Sequence, residues 1–378
     1  MRKVYVNISL PFLFLLSFVL VSETARSKFG VDFSLVFVVL TIVCYFAFYR
    51  NFISDARFYT WWIYIFLVPT LWMTLSSNGN MKEMITCALI LLLPIALECF
   101  VPVYDEDIVS GCVLIFALSM IILFLYANVG FLRYWNTNCI SYLLFLGVCS
   151  ATILLSLNRG NIFVWLIYIY AAVQLLVADS RNVSISVVIT MVLILLKSIL
   201  TRKCIFRCVY IFAILYSAIF YHITQMVVDT KLYDWLLKIT TDVYDKGQGG
   251  VFNGRVGIYE GALELINDSF INNIFGYGRT LVSFYASHND YYLIRYTFGI
   301  IGTLLIGYML VRFFEAARKL IVAGDNITYG CTAIIISVLF QQASEGWFLA
   351  TNLLTLMPFV YMAIVIKRYR KLWMGERI

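Results

Sequence analysis

Apolar runs of about 17 to 22 residues, the length that crosses roughly 30 Å of hydrocarbon at 1.5 Å per residue, recur along this chain between short polar stretches. Twelve are centred near Leu13, Val39, Ile65, Leu91, Ala117, Gly147, Tyr168, Met191, Leu215, Leu304, Ile335 and Met357. Most are apolar on every face, so they are not amphipathic surface helices, and the period-two alternation of an outer-membrane barrel is absent. The pattern predicts an all-α polytopic integral membrane protein with about 12 transmembrane helices. No linker, low-complexity tract or internal repeat divides it, so residues 1–378 read as a single membrane domain.

Composition strengthens this reading. Charged residues make up 13 % of the chain and its mean hydropathy is +0.88, against about 25 % charged residues in a soluble domain. The nine cysteines lie in or beside apolar runs and their odd number cannot pair completely. Cys204 and Cys208 share a helix face, but no histidine or carboxylate nearby completes a metal site. They are read as small apolar residues. No phosphate-loop or nucleic-acid-binding motif occurs, which argues against use of ATP and against a nucleic-acid partner.

Basic residues set the expected orientation, because positive charge collects on the cytoplasmic side. With the N-terminus inside, sixteen basic residues fall in inner segments, among them Arg159, Arg202, Arg312, Lys367 and Arg368. The short outer loops hold five: Arg26, Lys28, Lys82, Arg133 and Arg181. Both termini are therefore expected in the cytoplasm. The first run follows Arg2-Lys3, yet Ser22 to Arg26 offers no small-x-small cleavage pattern, so it is read as a helix rather than a leader. Asp105-Glu106-Asp107 falls on the inner side and is read as a solvated acidic loop.

The longest polar segment, residues 229–292 between the ninth and tenth runs, falls on the outer side. It carries five basic and eight acidic residues, a net charge of −3. Any anion it holds must be held by individual arginines. Within it Ile258, Ala262 and Ile266 recur at helical spacing, with Tyr259 and Leu263 beside them and Glu260, Glu264 and Asn267 on another face. This predicts a short amphipathic helix on the bilayer surface. Asn253 is its expected N-cap, and Arg255 lies in its first turn, where free N–H groups and a cation can both meet a diphosphate. Gly276-Tyr277-Gly278 then reads as a turn. One of the chain's two histidines follows, in Ser287-His288-Asn289-Asp290-Tyr291-Tyr292.

These residues resemble the loop signature of the O-antigen polymerase and O-antigen ligase superfamily. The resemblance runs through "GRVGIYEGALELINDSFINNIFGYGRT" and "SHNDYYLIRYTFGIIGT": Gly-Arg, an aromatic, Ala-Leu, Gly-x-Gly, and His-Asn before a Gly-Ile-x-Gly helix. Two shorter stretches are similar to other family segments. "ADSRNVSISVVI" matches a Ser-Arg that opens a helix, and "FLRYWNTN" matches an Arg with Asn-Pro-Asn, although Thr137 stands in place of the proline. Asn158-Arg159-Gly160 competes with Ser180-Arg181-Asn182 for the Ser-Arg position, and Arg181 is preferred because it shares the outer side with Arg255 and His288.

The resemblance implies a substrate: oligosaccharide repeat units linked through a diphosphate to undecaprenol, at the outer face of the bacterial inner membrane. It implies a glycosyl transfer that releases lipid diphosphate and uses no cofactor or metal. Arg181 and Arg255 are the expected diphosphate contacts, and His288 is either the base or a phosphate ligand. Arg279, Asn289, Asp290, Tyr291, Arg133 and Tyr259 are the expected substrate-binding residues. His222 is the rival base. Expected partners are the lipid-linked oligosaccharide, membrane lipids and a chain-length regulator protein. Polymerase is preferred over ligase, which transfers the finished chain to lipid A core. A flippase or polysaccharide transporter is the alternative of another class; it usually carries charges at mid-membrane, and the helix centres here hold few.

Overall fold

The computed structural model describes residues 9–21, 96–102, 104–129, 137–177, 181–202, 263–276, 290–342 and 356–373, with scattered positions at 39–43, 93–94, 226–238 and 261. Among these residues every regular element is helical. The helices are α1 (Leu10–Val21), α2 (Asp105–Val129), α3 (Thr137–Leu157), α4 (Ile162–Val177), α5 (Arg181–Leu195), α6 (Lys197–Thr201), α7 (Phe270–Phe275), α8 (Asp290–Val322), α9 (Asn326–Gln341) and α10 (Leu356–Trp373). Asp105–Tyr126, Ile140–Leu157 and Tyr291–Val322 are long and apolar enough to cross a membrane. The apolar runs around Ile65 and Leu215 lie outside the described residues, and those around Val39 and Leu91 are described only in part.

Helix α3 is the hub. It packs against α2, α4, α5 and α9, and almost all of its apolar length is buried inside the protein. Close approach depends on small residues, as expected where lipid competes equally for apolar side chains. A Cβ on Gly147 would come within 1.8 Å of Ser119 Oγ in α2, and one on Gly330 of α9 within 2.7 Å of Ile153 Cα in α3. Two buried hydroxyls beside Gly147 turn back onto their own helix: Ser119 Oγ donates to Ile115 O at 2.6 Å and Ser150 Oγ to Gly147 O at 2.6 Å. Between α5 and α9, Thr190 Oγ1 donates to Ser337 Oγ at 2.7 Å. Each such bond keeps a polar group satisfied without water.

Bonds at the helix ends fix their directions. Tyr329, near the start of α9, donates to Leu193 O and Ile194 O at the end of α5, whereas Ser337 meets Thr190 further along. So α5 and α9 run antiparallel. At the far end of α9, Leu339 O accepts from Tyr291 Oη at the start of α8, 3.0 Å away. The ends of α3, α5, α8 and α10 therefore gather with the starts of α2, α4 and α9. Ion pairs close this end: Arg368 Nε meets Asp325 Oδ2 at 2.6 Å, Arg368 Nη1 meets Asp105 Oδ1 at 2.5 Å, and Arg370 Nη2 meets Glu98 Oε2 at 2.9 Å.

The acidic run thus opens helix α2, where carboxylates suit the positive end of the helix dipole, and Asp105 is a partner of α10 as well as being half exposed. No cluster of metal-ligating side chains occurs among the described residues.

Candidate functional site

The opposite end holds the starts of α5 and α8, and against α8 lies the described part of the polar segment. Residues 263–267 are helical, with Ile266 buried and Glu264 and Asn267 exposed, which is the face pattern read from the sequence. Within this described part the apolar side turns into the protein, while Ile258, Tyr259 and Ala262, the rest of the expected apolar face, lie outside the described residues. Ile266 joins the protein's hydrophobic core, and the large exposed apolar groups are instead Phe270 and Ile271 of α7.

Two glycines join this segment to α8. Gly276 ends α7 with φ of 89°, and Gly299 breaks α8 with φ of 65° and ψ of −169°; both angles favour glycine. They face one another. A Cβ on Gly276 would come within 2.3 Å of Thr297 O, and one on Gly299 within 2.2 Å of Ile274 O. Gly302, the second glycine of Gly-Ile-Ile-Gly, makes room for Phe298, whose Cβ would lie 2.1 Å from an added one. Gly276 and Gly299, one from each half of the signature, therefore serve one contact, in which backbone meets backbone.

Gly299→Ala should consequently lower the thermal unfolding temperature clearly more than Gly261→Ala. The first adds a Cβ at positive φ against a carbonyl, which costs about 1–2 kcal/mol before any clash, and the second adds one where nothing lies within 4 Å. Equal unfolding temperatures for the two variants would refute the contact.

A chain of polar groups accompanies the glycines. Arg295 Nη2 donates to Asn273 Oδ1 at 3.4 Å, and Asn273 Nδ2 donates to Asn267 Oδ1 at 3.0 Å. Charge in loops, which sets orientation, says nothing of Arg295; its signal in the sequence is a cation inside an apolar run. It lies one turn after Tyr291 on α8 and reaches back towards α7.

Of the residues expected at the site, Tyr291 is the one whose side chain is described: it is buried and its hydroxyl bonds Leu339 O. Arg181 is the first residue of α5 and Asp290 the first of α8. They stand at the same end of the bundle, because α5 is antiparallel to α9 and α8 begins beside the end of α9. Arg159 stands at the other end, just before α4, with its guanidinium carbon 5.2 Å from the centre of the Tyr329 ring. Arg133, His222, Asn253, Arg255, Tyr259, Gly278, Arg279, His288 and Asn289 lie outside the described residues.

No protein-family model matches the chain, and no curated protein matches its sequence. The resemblance is thus carried by the order and spacing of its motifs.

Proposed function

We propose that the protein polymerises oligosaccharide repeat units carried on undecaprenyl diphosphate, at the outer face of the bacterial inner membrane. The chain crosses the membrane about twelve times with both termini in the cytoplasm, and residues 229–292 form its periplasmic loop. One observation carries the reading. The Gly-x-Gly and Gly-Ile-x-Gly halves of the signature, 23 residues apart, meet at Gly276 and Gly299, so motifs recognised by their order also form one packed unit.

In the reaction, a hydroxyl oxygen on the non-reducing sugar of an incoming unit bonds to the anomeric carbon of the growing chain. The bond from that carbon to the lipid diphosphate breaks, and the diphosphate leaves with the electron pair. Arg181 and Arg255 hold the diphosphate, since a guanidinium stays charged and can grip phosphate oxygens in pairs. Arg279 and Arg133 add positive charge. His288 receives the hydroxyl proton, and Asn289, Asp290, Tyr291 and Tyr259 position the acceptor. Tyr291 does so through the backbone it fixes, because its hydroxyl is engaged by Leu339 O.

The test supplies purified protein with one lipid-linked repeat unit, no lipid A core, and EDTA throughout. A ladder of chain lengths is expected. Reaction only after core is added would mean a ligase, and no transfer with either acceptor would favour a transporter.

Topology is checked separately. A cysteine at position 181 should label with an impermeant reagent from the periplasm, and one at 159 only after the cytoplasmic side is opened. The reverse would move the Ser-Arg assignment to Arg159.

A further inference from the structure

Arg159 and Lys197 come from different parts of the sequence and converge on one ring. Arg159 lies in the tight turn between α3 and α4, where Asn158 Oδ1 accepts from Gly160 N at 3.2 Å and Arg159 O accepts from Trp165 Nε1 at 2.9 Å. Lys197 opens α6. Their cationic groups lie 5.2 and 5.3 Å from the centre of the Tyr329 ring. The ring is held in place because its hydroxyl bonds both Leu193 O and Ile194 O.

Two like charges are thus brought together at a partly exposed place. Among the described residues neither has a carboxylate within ion-pair distance. Asp325, whose charge acts on Lys197, already bonds Arg368 at 2.6 Å, while Lys197 Nζ bonds the neutral Asn326 Oδ1 at 2.7 Å. Partial burial, and then the charge on Arg159, push the Lys197 ammonium below its ordinary pKa, with Asp325 opposing. An arriving anion would relieve that repulsion.

The surroundings specify the kind of anion. On α4, Ile162, Leu166, Ile169 and Val173 are exposed at helical spacing, forming a stripe that starts beside Arg159. On α5, Val188, Val192 and Leu195 form a second exposed stripe that ends beside Lys197. The two helices pack together and run in opposite directions. A cation therefore heads each apolar stripe, both at the same end of the bundle, as a phosphate headgroup with two acyl chains requires.

We propose that Arg159 and Lys197, seated over the buried Tyr329 ring, form a binding site for the phosphate of an anionic phospholipid, whose acyl chains lie along α4 and α5. The site is at the end of the bundle opposite Arg181 and the start of α8, and it is independent of the reaction proposed there.

The test follows thermal unfolding of the purified full-length protein in neutral detergent. Dioleoylphosphatidylglycerol, dioleoylphosphatidylcholine and inorganic phosphate are added in turn at equal concentration. The anionic lipid should raise the midpoint about 2 °C above the zwitterionic one, the scale for a ligand some tenfold above its Kd, and inorganic phosphate should not. The double variant R159Q/K197Q should lose this excess, whereas R312Q/K371Q, with the same net charge, should keep it. Equal shifts from both lipids, an equal shift from inorganic phosphate, or loss of the excess in both double variants would overturn the site. Native mass spectrometry of the wild-type chain needs no variant: phosphatidylglycerol should be retained about fivefold over phosphatidylcholine, and equal retention would overturn the proposal.

Discussion

Replacing His288 or Arg255 with alanine should abolish polymer formation while membrane insertion and abundance stay at wild-type levels. Loss of a positioned general base costs about 10²- to 10⁴-fold in rate, enough to reduce a ladder of repeats to unreacted units. For Arg255, the expected loss is that of the proposed charge-assisted, two-pronged contact to the leaving diphosphate, so Arg255→Lys should recover little: lysine restores the charge without the planar fork. The pH profile then separates the two roles of His288. A histidine acts as a base only when neutral, so activity should fall as the pH drops through its protonation. Were it a cationic phosphate ligand, activity would fall as the pH rises through it. His222→Ala should leave the profile unchanged. Normal chain lengths in either the His288→Ala or the Arg255→Ala variant would sink the proposed site.

The features legible in the sequence were those set by local pattern. The runs around Ala117 and Gly147 form helices because an apolar run long enough to span lipid must satisfy its own backbone hydrogen bonds. The face of residues 263–267 also follows from spacing, with Ile266 turned one way and Glu264 the other. What Ile266 packs against was not legible, since a bilayer and a protein core are equally apolar. The same limit applies to Gly276. Its break is a local signal, but its purpose depends on Gly299, 23 residues later, and backbone contacts between distant segments leave no periodicity. Arg295 was passed over for a related reason: an orientation argument weighs cations in loops and ignores one enclosed in an apolar run. The acidic run at Asp105 likewise looked merely solvated, because its counter-charge, Arg368, lies 263 residues further on.

That counter-charge gives the second large expected effect. Arg368→Met should lower the thermal unfolding midpoint by several degrees, because it strips Asp325 of its charged partner in a place where both side chains are about 95 % buried. Breaking a buried pair from one side costs about 3–5 kcal/mol. The lower figure applies here, since Asp325 keeps its bonds from Thr328 N at 3.0 Å and Thr328 Oγ1 at 2.7 Å. The double variant R368M/D325N should recover most of the loss. Asparagine caps a helix as well as aspartate does, so the start of α9 survives while the orphaned charge is removed. Arg312→Met is the contrast: its 3.5 Å pair with Glu315 is half exposed, and such pairs contribute about 0–1 kcal/mol. A double variant no more stable than Arg368→Met would place the role of Arg368 in packing rather than charge. Recovery would instead identify Arg368 as the ion that fastens α10 to α2 and α9, holding fixed the end of the bundle opposite the one where the reaction is proposed.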